Sequence, residues 1–172
     1  MSERIFLVGP PGAGKSTIGR RLARLRNLDF VDSDNEIEAR CGVDIGFIFE
    51  KEGEDGFRDR ESRMLDELSE RNNVLLATGG GSVMRDDNRR MLASRGFVVY
   101  LLATVDQQLA RTQHSSKRPL LNTGDRRATL EQLFAVRDPL YREVADLVIE
   151  TQGRQAKSVA RDIHSQLDEA LP

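Results

Sequence analysis

Residues 9–17 read GPPGAGKST, a fit to the pattern Gly-x-x-x-x-Gly-Lys-Ser/Thr between a short apolar run and the helix-compatible IGRRLARLR. Gly9, Gly12 and Gly14 allow backbone conformations closed to other residues, so successive N–H groups can turn inward around phosphate oxygens. The N-terminus of the following helix adds partial positive charge. In such a loop Lys15 reaches the β- and γ-phosphates, and the Ser16 hydroxyl enters the shell of a Mg²⁺ ion. The donor is therefore expected to be a nucleoside triphosphate. The loop does not identify the acceptor.

Acceptor chemistry has to come from elsewhere. In FVDSDNEI (30–37), Asp32 and Asp34 stand two apart at the end of an apolar run. One reading puts Asp32 near the metal and Asp34 on an acceptor hydroxyl. The other is helix capping, by Ser33 or Asp34, of the segment beginning NEIEAR. Position at a strand end beside a phosphate loop favours chemistry for the two carboxylates and leaves Ser33 as the expected cap.

In TGGGSV (78–83), three consecutive glycines imply a close approach to the backbone, unusual dihedrals or a tight turn. Arg58 and Arg60, in FRDRES (57–62), lie two apart on a helix-like stretch, so only one can readily face a cleft. Arginine suits bidentate carboxylate recognition, and Arg137 is a second candidate. The polar stretch HSSKRPLLNTGDRR (114–127) has the length of a lid, with Arg118 stiffened by Pro119 and able to stabilise charge on a transferring phosphoryl group.

The elements that must position these residues follow from periodicity. RIFLV (4–8), LDFV (28–31), NVLLAT (73–78), FVVYL (97–101) and LVIE (147–150) are short, near-continuous apolar runs, as suits parallel strands buried on both faces. Between them, a helix is expected over Gly56–Arg71, with Met64, Leu65 and Leu68 on one side. A clearer one carries Ala156, Val159, Ala160, Ile163, Leu167 and Ala170 at helical spacing. Strand–helix alternation predicts an α/β domain with right-handed crossovers and ligands at the carboxyl ends of the strands.

Composition sets the limits. A chain of 172 residues with 38% hydrophobic and 31% charged residues suits one globular domain. The net charge of −2 gives no pull towards nucleic acid or membrane. Cys41 is the only cysteine, so an intramolecular disulfide and a cysteine metal cluster are excluded. No apolar run approaches 18 residues, and a cytoplasmic protein is expected.

Taken in order, GPPGAGKSTIGR, DSDNEIE, FEKEGEDGFRDRE, ATGGGSV, KRPLL and RDPLYREVAD resemble the shikimate kinase family, from about residue 4 to about residue 160. The resemblance implies a three-layer α/β P-loop kinase fold, like that of nucleoside monophosphate kinases. It implies five parallel strands in order 2-3-1-4-5, one domain over 1–172 and a mobile lid at about 112–125. The implied reaction is ATP- and Mg²⁺-dependent phosphorylation of the 3-hydroxyl of shikimate, towards chorismate and the aromatic amino acids. Asp34, Arg58, Gly80 and Arg137 match the family's shikimate contacts, with Gly79 and Gly81 beside them. Gly12, Ala13, Gly14, Lys15, Ser16 and Thr17 fall around the ATP phosphates, with Ser16 and Asp32 towards Mg²⁺. Arg118 matches a lid arginine on ATP, and Arg111 and Arg154 fall where arginines pack against adenine. Lys15, Asp34 and Arg118 are then the catalytic residues of a cytoplasmic monomer that binds neither nucleic acid nor membrane. Two departures are mild: HSSKRPLL is less basic before its arginine than in some members, and MRDDN follows the glycines. Rival readings are a gluconate or nucleoside monophosphate kinase of the same fold and a regulatory NTPase. The first, with a nucleotide acceptor, needs base-reading residues and the second an effector-recognition element; neither is visible.

Overall fold

The computed structural model describes residues 2–112 and 125–171. In chain order these form β1 (Arg4–Val8), α1 (Lys15–Arg26), β2 (Asp29–Asp32), α2 (Ser33–Cys41), α3 (Ile45–Leu68) and β3 (Val74–Ala77). They continue with α4 (Asp86–Arg95), β4 (Phe97–Leu102), α5 (Val105–Thr112), α6 (Arg126–Val144), β5 (Leu147–Glu150) and α7 (Ala156–Ala170). The strands make one sheet in order β2-β3-β1-β4-β5, every pairing parallel. This is the order that the resemblance implied.

Strand periodicity divides the core in two. Phe6, Val8, Leu76, Val98 and Tyr100 face one layer, with Ile37, Leu65, Leu68, Leu92 and Tyr141. Ile5, Leu7, Leu75, Val99 and Leu101 face the other, where α1 and α7 supply Leu22, Val159, Ile163 and Leu167. Burial on both sides explains why β1, β3 and β4 read as unbroken apolar runs.

Two expected elements differ from the observed ones. The helix expected from Gly56 to Arg71 begins at Ile45, where the Asp44 side chain accepts from Phe47 N at 2.8 Å, and ends at Leu68. The charged run EKEGED hides the continuity, because α3 is broken within it: Gly53 takes φ 74° and ψ 179°. In α7 the central stripe is buried as expected, but Ala156 is half-buried and Ala170 exposed, beyond the reach of the sheet.

Candidate active site

The carboxyl ends of β1, β2 and β3 open onto one cavity of about 480 Å³, into which α3, α6 and the start of α7 also project. On one side is the phosphate loop. Gly12 and Gly14 hold φ of 82° and 92°, and Gly14 starts α1 with no side-chain cap, so the first-turn N–H groups are left for a ligand. Lys15 folds back over the loop, its Nζ donating to the carbonyls of Gly9 at 2.6 Å and Pro10 at 2.9 Å. Thr17 lines the cavity, whereas Ala13 is buried and spends its N–H on Pro10 O within the loop.

Asp32 ends β2 and does two things at once. Its Oδ2 accepts from the Ser16 hydroxyl at 2.7 Å, and its Oδ1 accepts from Asn35 N at 3.1 Å, capping α2. The expected cap, Ser33, is therefore corrected: extended backbone at Asp32 makes that residue the cap, and Ser33 Oγ instead accepts from Gly79 N at 3.2 Å. That bond ties the start of α2 to the glycine turn.

The glycine turn forms the other side. None of Gly79, Gly80 and Gly81 has a positive φ, so crowding rather than dihedral freedom explains them. A Cβ at Gly79 would lie 2.7 Å from Asp34 Oδ1 and 2.9 Å from Glu61 Oε2. At Gly80 it would lie 3.0 Å from Pro11 and 3.4 Å from Arg137 Nη1, and at Gly81 2.3 Å from Arg58 Nη2. Asp34, Arg58 and Arg137 thus converge on one stretch of backbone facing the phosphate loop. Arg60 points the other way, pairing with Glu52 at 2.7 Å and reaching Cys41 Sγ at 3.4 Å.

Electrostatics rest on a carboxylate that the sequence reading did not single out. Glu61 is fully buried and accepts from Arg58 Nη1 at 2.9 Å, while Arg58 Nη2 donates to Glu54 at 3.2 Å. Burial pushes the Glu61 carboxyl up, opposed by Arg58 and, further off, Arg137 and Arg85. For Arg58, burial works against the charge, but Glu61 and Glu54 outweigh it and hold the guanidinium charged. Its place three residues after Arg58 on a helix was the available signal for Glu61.

At the far end, Arg111 donates to Gly12 O at 2.9 Å and Arg154 pairs with Asp162 at 3.2 Å, both on the wall of the same cavity. Arg118 and residues 113–124 of the expected lid lie outside the described residues. The arrangement can hold a polyphosphate at one end and a hydroxylated carboxylate at the other.

The shikimate kinase family model matches residues 11–168. A shikimate kinase from Shewanella frigidimarina is 56% identical over 169 residues, covering 97% of this chain and 99% of the relative. One from Francisella tularensis subsp. holarctica is 53% identical, covering 98% and 96%. The solved shikimate kinase from Acinetobacter baumannii in complex with shikimate superposes with a TM-score of 0.96 at 48% identity, over 100% of this chain and 97% of that one. With likeness of this extent laid over such a cleft, the chain belongs to the shikimate kinase family.

Proposed function

We propose a division of labour for the shikimate kinase reaction, in which this chain moves the γ-phosphoryl group of ATP to the 3-hydroxyl of shikimate. The observation that carries it is the convergence of Asp34, Arg58 and Arg137 on the glycine turn opposite the phosphate loop. Arg58 and Arg137 bind the acceptor carboxylate in a bidentate manner, and Asp34 orients the 3-hydroxyl and takes its proton late. Gly79–Gly81 let the acceptor rest against backbone. Lys15 exchanges the Gly9 and Pro10 carbonyls for β- and γ-phosphate oxygens, and Gly12–Thr17 cradle the phosphates. Arg111 and Arg154 flank the adenine. Arg118 stabilises charge on the transferring group, a role supported by the sequence pattern alone.

Ser16 and Asp32 would hold Mg²⁺. Their pairing at 2.7 Å beside the loop suits an ion that takes one or two protein oxygens and fills the rest with phosphates and water. Held there, the ion would supply charge neutralisation to the transferring phosphoryl group. The same reading takes 1–172 as one catalytic domain with a lid at about 112–125, working as a cytoplasmic monomer without nucleic acid or membrane. One continuous sheet supports the single domain, and the near-neutral net charge of −2 supports a chain without pull towards nucleic acid. Among the described residues, no helix is long and apolar enough to cross a membrane.

A coupled ADP-release assay with shikimate, gluconate and nucleoside monophosphates tests the reading. Release should depend on shikimate and fall sharply in Asp34→Asn. ADP release indifferent to shikimate would overturn the acceptor, and near-normal turnover in Asp34→Asn would remove the role of that carboxylate.

A further inference from the structure

Tyr141 is fully buried on α6, one turn beyond Arg137, and does not line the cleft. Its hydroxyl donates to Gly80 O at 2.5 Å, and its ring packs on Tyr100 with centroids 4.8 Å apart. Tyr100 in turn donates to Asp138 Oδ1 at 2.7 Å, which fixes the ring pair on the same helix. The Arg137 guanidinium, one turn back on the same helix, lies beside this bond: Nη1 would be 3.4 Å from a Cβ at Gly80, and its charge draws the phenol down. Burial pushes the phenol up to about 12, against the pull of Arg137, so the hydroxyl remains a donor at neutral pH. The Gly80 carbonyl and the Gly81 N–H belong to one planar trans peptide, so holding the carbonyl on α6 turns that N–H away from the helix.

We propose that Tyr141 is a positioning residue for the acceptor carboxylate, its hydroxyl holding the Gly80–Gly81 peptide beside the Arg137 guanidinium in one recognition geometry. The proposal rests on the reading of this turn as the acceptor site. It explains why a phenol, rather than a phenylalanine of the same shape, stands at this position of the layer. The Gly80 carbonyl needs a donor there, and a phenol supplies one without a charge that would neutralise Arg137.

Tyr141→Phe keeps the ring and removes only the oxygen. It should raise the KM for shikimate about tenfold, the scale of leaving a buried acceptor without its donor, with the KM for ATP unchanged. Binding of a shikimate analogue carrying hydroxymethyl in place of the carboxylate should be unchanged. Equal weakening of both ligands would make the residue merely structural, and an unchanged shikimate KM would remove it from recognition; either overturns the proposal. Arg137→Ala separates the two levels. If it raises the shikimate KM while Tyr141→Phe does not, Tyr141 alone is wrong; if it does not, the acceptor site itself is wrong. Should Tyr141→Phe fail to fold, the exchange-protected hydroxyl proton of Tyr141 in the unaltered protein gives a second reading. It should shift on adding shikimate and stay fixed with the analogue, and an unmoved or equally moved signal overturns the proposal.

Discussion

Arg58 and Glu61 make a pair whose desolvation is offset by mutual attraction and by the bond from Arg58 to Glu54. Deleting the arginine would strand a buried carboxylate, so Arg58→Ala confuses recognition with stability. Gly81→Ala is the cleaner probe. Its methyl would fall 2.3 Å from Arg58 Nη2, and the flexible end of that side chain must yield. We expect a higher shikimate KM with an ATP KM close to that of the unaltered protein, and a melting temperature that falls less than in Arg58→Ala because the guanidinium stays to pair with Glu61, measured by steady-state kinetics and calorimetry. The carboxyl of Glu61 makes a pH prediction. Burial raises it above its usual 4.5, so the folded state holds the proton more tightly than the unfolded chain. The stability this contributes is present below the unfolded value and lost as pH rises through the folded one. Gln cannot ionise, so the melting temperature of Glu61→Gln minus that of the unaltered protein should grow with pH across that window. A difference that stays flat would mean that the carboxyl carries no such penalty.

At the scale of elements, α1 has to lie close to the sheet for its first turn to meet the phosphates. Gly19 permits this: a Cβ there would be 2.7 Å from the Phe30 ring, 3.1 Å from Leu7 and 3.2 Å from Leu75. In a free helix, Gly→Ala stabilises by about 1 kcal/mol. Gly19→Ala should do the opposite and cost ~1–3 kcal/mol through overpacking, read from urea unfolding, and an unchanged or higher stability would show that α1 has room to move. The α2–α3 region was less legible than the strands. Periodicity located β1 and β5 to the residue, yet put the α3 start eleven residues late, since capping by Asp44 and the break at Gly53 interrupt the apolar pattern. Likewise, only the paired geometry of Ser33 with Gly79 shows why the cap fell to Asp32.

For the whole molecule, parallel order β2-β3-β1-β4-β5 sets the phosphate loop after β1 and the glycine turn after β3 on neighbouring strand ends, with Asp32 at the end of β2 beside β3. Two ligands bound at opposite ends of one cavity should each stabilise the fold, by about 2.7 kcal/mol at a hundredfold excess over Kd. ADP and shikimate should each raise the melting temperature. Lys15→Ala should lose the ADP shift and keep the shikimate shift, and Arg137→Ala should do the reverse. Loss of both shifts in either variant would mean that the cavity does not divide into the two halves assigned to it.

The sequence by itself determined the donor half, since a loop that binds phosphate through consecutive N–H groups must be written as local spacing: Gly12, Gly14, Lys15 and Ser16 lie within five residues. It also carried Asp34, Arg58 and Arg137 as residue types within recognisable motifs. Only the tertiary structure decided that Arg58 rather than Arg60 enters the cleft, that the glycines yield space to side chains, and that Glu61 and Tyr141 stand behind the arginines. Glu61 left a local trace, three residues from Arg58, but the place of the glycines and of Tyr141 depends on which atoms distant segments bring together, and no spacing along a single segment encodes that.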